Sequence, residues 1–335
     1  MIIVADSSGT DLRSLDFLEY DFEVGDSENS FLVTCHRAEW QTIPDGGRIY
    51  IPDTEYGGIF KHLETNTKAN TIAAGGHTWR GMLQNKIIQP ASGDDYATDS
   101  GELNAVIKAR VEAAFPNLFA GSNDSTGVTV NYQYNRYVTL YDGLKAMLKS
   151  VGYRLNIAYD QVSGKVVVSA VPIVDYSEQI EYSSDMNANY YMTMENAGVN
   201  HLICLGQGEL RNRTVVHLYV DGNGNISQTQ TFYGADEICA VYDYAGAARP
   251  DLIQSGTQQL KNMTSHNSFQ IDFDTFDEVA IGDIVGGHDY ISGMRMTAPI
   301  TSKIVRWRNG FEKTEYKLSD DVTMWRKSAR FAAAL

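Results

Sequence analysis

Histidines, cysteines and two acid-rich loops are the side chains whose types and spacing invite a chemical reading. His201 and Cys204 in NHLICLG stand three apart, which suits zinc on a turn. HLICL reads as a strand, where residues three apart face opposite sides, so buried or edge positions are expected instead. Asp221, Asn223 and Asn225 of DGNGN fill the first, third and fifth places of a calcium loop. Its sixth place holds Ile226 rather than Gly and its twelfth Phe232 rather than Glu, and a hairpin turn fits better. Asp274, Asp277 and Glu278 in FDTFDE would suit a glycosidase or a cation, but no partner that would raise one carboxyl is identifiable. AAGGHTWRG lacks the Gly-Lys-Ser/Thr ending of a phosphate loop. No Gly-x-Ser-x-Gly elbow occurs, and no activated-cysteine signature surrounds Cys35. No catalytic, cofactor-binding or metal-ligating residue is assigned, and neither enzyme activity nor a cofactor is expected.

Composition narrows the class. A chain of 335 residues exceeds one compact core and predicts two or three units. Twenty Tyr, 29 Gly and many Thr and Val favour β-structure rich in turns. The formal charge of −15 opposes a nucleic-acid-gripping surface, which needs clustered Lys and Arg. Cys35, Cys204 and Cys239 are odd in number and far apart, so reduced thiols are expected rather than a disulfide framework. The first residues show no secretion signal, and no apolar run approaches the roughly 18 residues of a spanning helix; no membrane insertion is expected. Charge is uneven: residues 1–30 hold eight acids against Arg13, whereas nine Lys and Arg face four acids from Arg295 onward. Two solvated faces, or head-to-tail matching between partners or subunits, would each account for it.

The elements that must position these residues follow from periodicity. Residues 1–95 run as strand candidates broken by turns and close on NTIAAGGHTWRGMLQNKII, a strand leading into a short helix. A polar stretch, QPASGDDYATDSG, then marks a boundary. Leu103, Val106, Ile107, Val111, Ala114 and Phe115 trace one helix, ended by Pro116. Thr139 and Asp142 form a capping-box variant for a second, with Leu140, Leu144, Met147, Leu148 and Val151 as its stripe and Gly152 at the left-handed cap. A hairpin, YRLNIAY and KVVVSAV, completes an α/β unit over 96–175. Residues 176–320 return to β, with a helix near 250–265 opened by Pro250. Asn309-Gly310 joins ITSKIVRWR to FEKTEYKL as a two-residue hairpin, placing Val305, Trp307, Tyr316 and Leu318 on one face with Lys303, Glu312 and Thr314 at its wet margin. Residues 321–335 form a tail.

Taken in order, these segments resemble the hub proteins of long-tailed phage baseplates, including the siphophage hub-like family of prophages. TIAAGGHTWRGMLQNKII is similar to that family's close of the first barrel, at Gly76, Leu83, Lys86 and Ile87. TLYDGLKAMLKSVGYRLNI with its hairpin is similar to the inserted α/β unit. The stretch from VAIGDIVGG to TEYKLS, with its Gly282-Asp283 turn, is similar to the closing meander. The resemblance covers roughly residues 1–320. It implies a mainly β fold of two similar small β-barrels, the first over 1–95 and the second over 176–320, with α/β insertions. It implies a homotrimer whose six barrels match a sixfold tail tube above and a threefold spike below. DNA would only pass through the enclosed channel, whose lining part of the acidic excess would supply. Distal-tail, tube and spike proteins would be the partners, at a virion tail tip assembled in the bacterial cytoplasm. Many such proteins carry a long C-terminal hydrolase or receptor-binding extension; this chain stops about 15 residues after its last strand, which favours a connector. The alternatives are a carbohydrate- or receptor-binding β-protein using Trp40, Trp79, Trp307 and Trp325 as platforms, and a cell-wall hydrolase using Asp274 and Glu278.

Overall fold

Ile2–Ala5 is apolar at every position and buried at every position, the pattern of a strand covered on both faces. The computed structural model containing it describes all residues except 1, 16–18, 27, 41–45, 178–180, 183–188, 194–197, 223, 265–267, 273–278, 290, 320–322 and 327–335. Among the described residues, seven strands occupy the first 78 positions: β1 (Ile2–Ala5), β2 (Asp11–Leu15), β3 (Glu19–Gly25), β4 (Ser30–His36), β5 (Arg48–Tyr50), β6 (Gly57–Asn66) and β7 (Thr71–Thr78). They pair antiparallel in the order β3-β4-β7-β6-β5-β1-β2. Gly76 permits a close crossing there, since a Cβ on it would lie 2.1 Å from the Ile59 carbonyl oxygen.

Two cores lie on the two sides of β1. Ile2 and Val4 join Tyr20, Phe22, Phe31, Val33, Ile49, Ala74 and Val305. Ile3 and Ala5 join Tyr50, Trp79 and Leu83 in a core that continues into the α/β segment through Leu103, Ile107, Leu144, Leu148 and Tyr159. The strand-to-helix step expected near Thr78 is α1 (Trp79–Gln84), with the Thr78 hydroxyl accepting from the Gly81 amide. Next come α2 (Leu103–Ala114), which stops before Pro116, and α3 (Leu140–Lys149). Thr139 caps α3, its Oγ1 3.0 Å from the Asp142 amide, and Gly152 takes φ +76° just beyond. The hairpin Tyr153–Asp160 with Lys165–Pro172 forms as expected.

The strand Met294–Arg308 spans 15 residues and changes partners midway. Its first half lies between Ile284–Asp289 and Thr323–Arg326; its second half lies between β3 and Phe311–Leu318. Asn309 and Gly310 both have positive φ, as a two-residue hairpin turn requires. Trp307, Val305 and Lys303 face Glu312, Thr314 and Tyr316 in the expected register, while a bulge sets Leu318 opposite Ile300.

Two compact units result: 1–190 with 270–335, and Tyr191–Phe269. The sequence division at 95 and 175 differs from this because one core runs from Ile3 to Ala170. The division also differs over 176–320, where 191–269 stands as its own unit. Among the described residues the fold is mainly β and no sheet closes into a hydrogen-bonded barrel. None of the described helices is long and apolar enough to cross a membrane. Within Tyr191–Phe269, strands Ile226–Ser227, Val215–Val220, His201–Leu205 and Cys239–Asp243 form one sheet in that order. Helix α4 (Arg249–Met263), with Pro250 in its first turn, covers one face. Leu252 and Leu260 pack with Leu202, Cys204, Val216 and Leu218. Gly256 admits the sulfur, as a Cβ there would stand 2.5 Å from Cys204 Sγ.

Candidate functional site

The acidic beginning and basic end of the chain meet each other. Arg306 Nε lies 2.8 Å from Asp21 Oδ2 across β3, and its Nη1 lies 2.8 Å from Glu315 Oε2 on the other neighbouring strand. Lys317 Nζ is 2.6 Å from Glu23 Oε1, and Lys145 Nζ is 2.7 Å from Asp26 Oδ1. Tyr20 donates to Glu312 Oε2 at 2.6 Å and stacks against Trp307, centroids 6.2 Å apart. Neither expectation for this charge asymmetry describes these pairs, which match opposite charge within one chain. The cross-strand register that places Arg306 beside Asp21 is the cause. Burial alone would raise the Glu315 carboxyl, but the hydrogen bond and charge of Arg306, with Lys313, outweigh it and hold it below the usual range. A depressed carboxyl contributes stability at neutral pH that is lost as pH falls through its lowered value. The pairs remain partly exposed, so Arg306→Ala is expected to cost no more than about 1 kcal/mol, and less at high salt. Urea unfolding at two ionic strengths measures this.

Deeper in the same unit sits a second charged contact. Asp283 has no exposed surface; Arg154 Nε lies 2.7 Å from its Oδ1, which also accepts from the Val174 amide at 3.0 Å. Its Oδ2 accepts from the Ala280 amide at 3.0 Å. Gly282, at φ +101°, brings the turn close, since a Cβ there would stand 2.9 Å from Arg154 Cβ. The Gly282-Asp283 turn thus anchors the returning strands to the α/β hairpin. Lys303, expected at a wet margin, is partly buried instead: burial lowers its amine, and Nζ lies 5.3 Å from the Tyr316 ring centre.

The residues singled out for chemistry separate. His201 and Cys204 fall on opposite faces of their strand, as its alternation requires, with Cys204 against α4 and His201 on the other face. Asp221 Oδ1 accepts from the Asn225 amide at 2.8 Å, an ordinary hairpin-turn bond. Asn223, Asp274, Asp277 and Glu278 lie outside the described residues. Among the described residues no three His, Cys, Asp or Glu side chains converge as a metal site. Burial raises all three thiols, helped at Cys35 by Glu39 and at Cys239 by Glu237, so none meets the conditions of an activated thiolate. Trp79 is core, and Trp40 and Trp307 pack against the inner sheet residues. These three do not form open sugar platforms.

One cluster escaped the sequence reading. On the face of the Tyr191–Phe269 sheet opposite α4, His201 Nδ1 lies 2.5 Å from Glu237 Oε1 and its Nε2 lies 2.8 Å from His217 Nδ1. Tyr219 stacks on His201 at 4.3 Å. His217 was findable, because in TVVHLYV it alternates with the buried Val216 and Leu218 and so shares the outer face with His201. Glu237 sits in a loop and gave no periodic signal.

These elements define a mainly β fold with an α/β segment packed on its first sheet. Among solved structures, that fold is shared with the 43 kDa tail protein of prophage MuSo2 from Shewanella oneidensis. The TM-score is 0.53 at 10% identity, over 96% of this chain and 98% of that one. The tail protein from Neisseria meningitidis MC58 is also similar, with TM-score 0.48 and 15% identity over 95% of each chain. So is prophage tail protein gp18 from Listeria monocytogenes EGD-e, with TM-score 0.47 and 12% identity over 94% of each. At 10% identity the likeness to the Shewanella protein is one of fold. No protein-family model and no curated protein matches the sequence.

Proposed function

We propose that the chain is a structural subunit of a phage tail tip or baseplate hub. The observation that carries this reading is an end-to-end fold match, 96% of this chain over 98% of a prophage tail protein. In this reading each chain contributes two barrel-like lobes that meet on the long strand Met294–Arg308. One lobe is the sheet of β1–β7, and the other is built on Glu181–Tyr182, Ile284–Asp289 and Thr323–Arg326. Three chains present six lobes to a sixfold tube, leave threefold symmetry for a spike, and enclose a channel through which DNA passes without sequence-specific contact. Distal-tail, tube and spike proteins are its partners, and assembly takes place in the bacterial cytoplasm. Asp21, Glu23 and Asp26 are engaged by Arg306, Lys317 and Lys145, so any acidic lining of the bore comes from other residues.

The test is a tagged chain incorporated into virions. Gold label at the tail tip and three copies per particle by quantitative mass spectrometry are expected. Label elsewhere on the virion, or a copy number that is not a multiple of three, overturns the hub reading. Specific retention on a glycan array would move the assignment to the receptor-binding alternative.

A further inference from the structure

The Glu237–His201–His217 contacts fix how many protons the group can hold. An ionised carboxylate only accepts, so His201 Nδ1 carries hydrogen and donates to Glu237 across 2.5 Å. With both imidazoles neutral, His201 Nε2 is then a bare lone pair and accepts from His217 Nδ1–H across 2.8 Å. That leaves His217 Nε2 bare, on a residue exposed to solvent. One proton added at this outer nitrogen keeps both hydrogen bonds, whichever ring formally holds the charge. A second proton sets N–H against N–H in a contact that only one hydrogen can occupy. It also puts like charges on rings whose centres are 5.1 Å apart.

We propose that Glu237, His201 and His217 form a one-proton latch on the sheet face that α4 leaves uncovered. It stays shut with no added proton or one, and the second proton breaks the His201–His217 bond and turns His217 off the face. The surroundings suit a device in which only the imidazoles change charge. Tyr219, stacked on His201, has its phenol pushed up by burial first and then by Glu237, Cys239 and Tyr233, so it stays protonated. Cys239 stands opposite His201 on the parallel strand, and burial and Glu237 raise its thiol too. Asp236 precedes Glu237 in the same turn. One row beyond His217, Asp243 is held by Arg213. Asn200 holds the turn on both sides, its Oδ1 accepting from the Ile238 amide at 2.9 Å and its Nδ2 donating to the Asp236 carbonyl at 2.7 Å. The opening is therefore confined to the His217 ring and does not unfold the unit. Nothing in this chemistry depends on the hub assignment.

Nitrogen-15 NMR of histidine-labelled full-length chain between pH 8 and pH 5, the range imidazoles ordinarily titrate across, tests it. His201→Gln and His217→Gln variants assign the signals. Two hydrogen-bonded ring N–H protons, one on each Nδ1, are expected at pH 8. Both should persist while the pair takes up its first proton, with the two rings shifting together. The His217 Nδ1–H resonance should then vanish in a separate, more acidic step. In His217→Gln, an exposed substitution outside the core, the second step should disappear and His201 should titrate alone. Two rings that titrate independently, each with a full proton at its own midpoint and no loss of the shared N–H, overturn the latch.

Discussion

Trp79→Ala is expected to cost about 3–5 kcal/mol, the range for emptying a buried indole site that cannot collapse. At roughly 2–4 °C per kcal/mol for a unit of this size, the melting temperature should fall by more than about 5 °C. The expectation rests on what Trp79 joins. It is fully buried, follows the Thr78 cap of α1, and stacks on Tyr159 with ring centres 5.6 Å apart and planes 15° from parallel. Tyr159 in turn lies 4.0 Å from Tyr50 of β5. The indole is thus wedged between the first sheet and the α/β hairpin, with Gly57 leaving room for its Nε1, 2.7 Å from where a Cβ would sit. Neither neighbour can move in without breaking its own strand pairing. Trp79→Phe keeps an aromatic ring in the stack and should lose less than half as much. Calorimetry or guanidinium unfolding of the three proteins decides it; an alanine variant within about 1 kcal/mol of the parent would mean that the two layers are not coupled through this ring.

The second large effect is expected at Asp283. Removing one partner of a buried ion pair costs about 3–5 kcal/mol, because the other charge is left uncompensated. Asp283→Ala would strand the Arg154 guanidinium and leave the Val174 and Ala280 amides without their acceptor. Asp283→Asn keeps a carbonyl oxygen for one of those donors and should lose less. The discriminating measurement is a double-mutant cycle: once Asp283 is Ala, Arg154→Ala should cost far less than it does in the parent. Additive losses would show that the two side chains act independently. The contrast with Arg306 is one of burial. Similar donor–acceptor distances are expected to differ several-fold in consequence, because one carboxylate has no exposed surface and the other keeps its water.

Local features were legible because local physics sets them. Thr139 as a cap, Gly152 in the left-handed region, Pro250 in a first turn and the Asn309-Gly310 hairpin all depend on neighbours within four residues. Reading HLICL as a strand likewise put His201 and Cys204 on opposite faces, which is where they stand. Partner choice between distant strands was not legible. Nothing near Arg306 signals that its neighbour is Asp21, 285 positions away, so the charge asymmetry pointed outward when the matching is internal. The compact units differ from the sequence division for the same reason. QPASGDDYATDSG has the composition of a connection, yet the apolar stripes on either side of it face one core. Of the imidazole cluster, sequence alternation could reach two members and not the third, since a loop carboxylate has no period to betray it.

The strand Met294–Arg308 also has a consequence for synthesis. Strand β3 is made before the neighbour that covers one of its edges, which follows about 280 residues later. At about 5–20 residues per second, β3 waits on the order of tens of seconds with that edge open. Until then the first sheet lacks Val305 from its core and Arg306 from its charge ladder. The nascent chain is therefore open to edge-to-edge aggregation until Met294–Arg308 is made, and a stall anywhere between β3 and that strand prolongs the exposure, even though residues 191–269 complete a unit with its own core meanwhile.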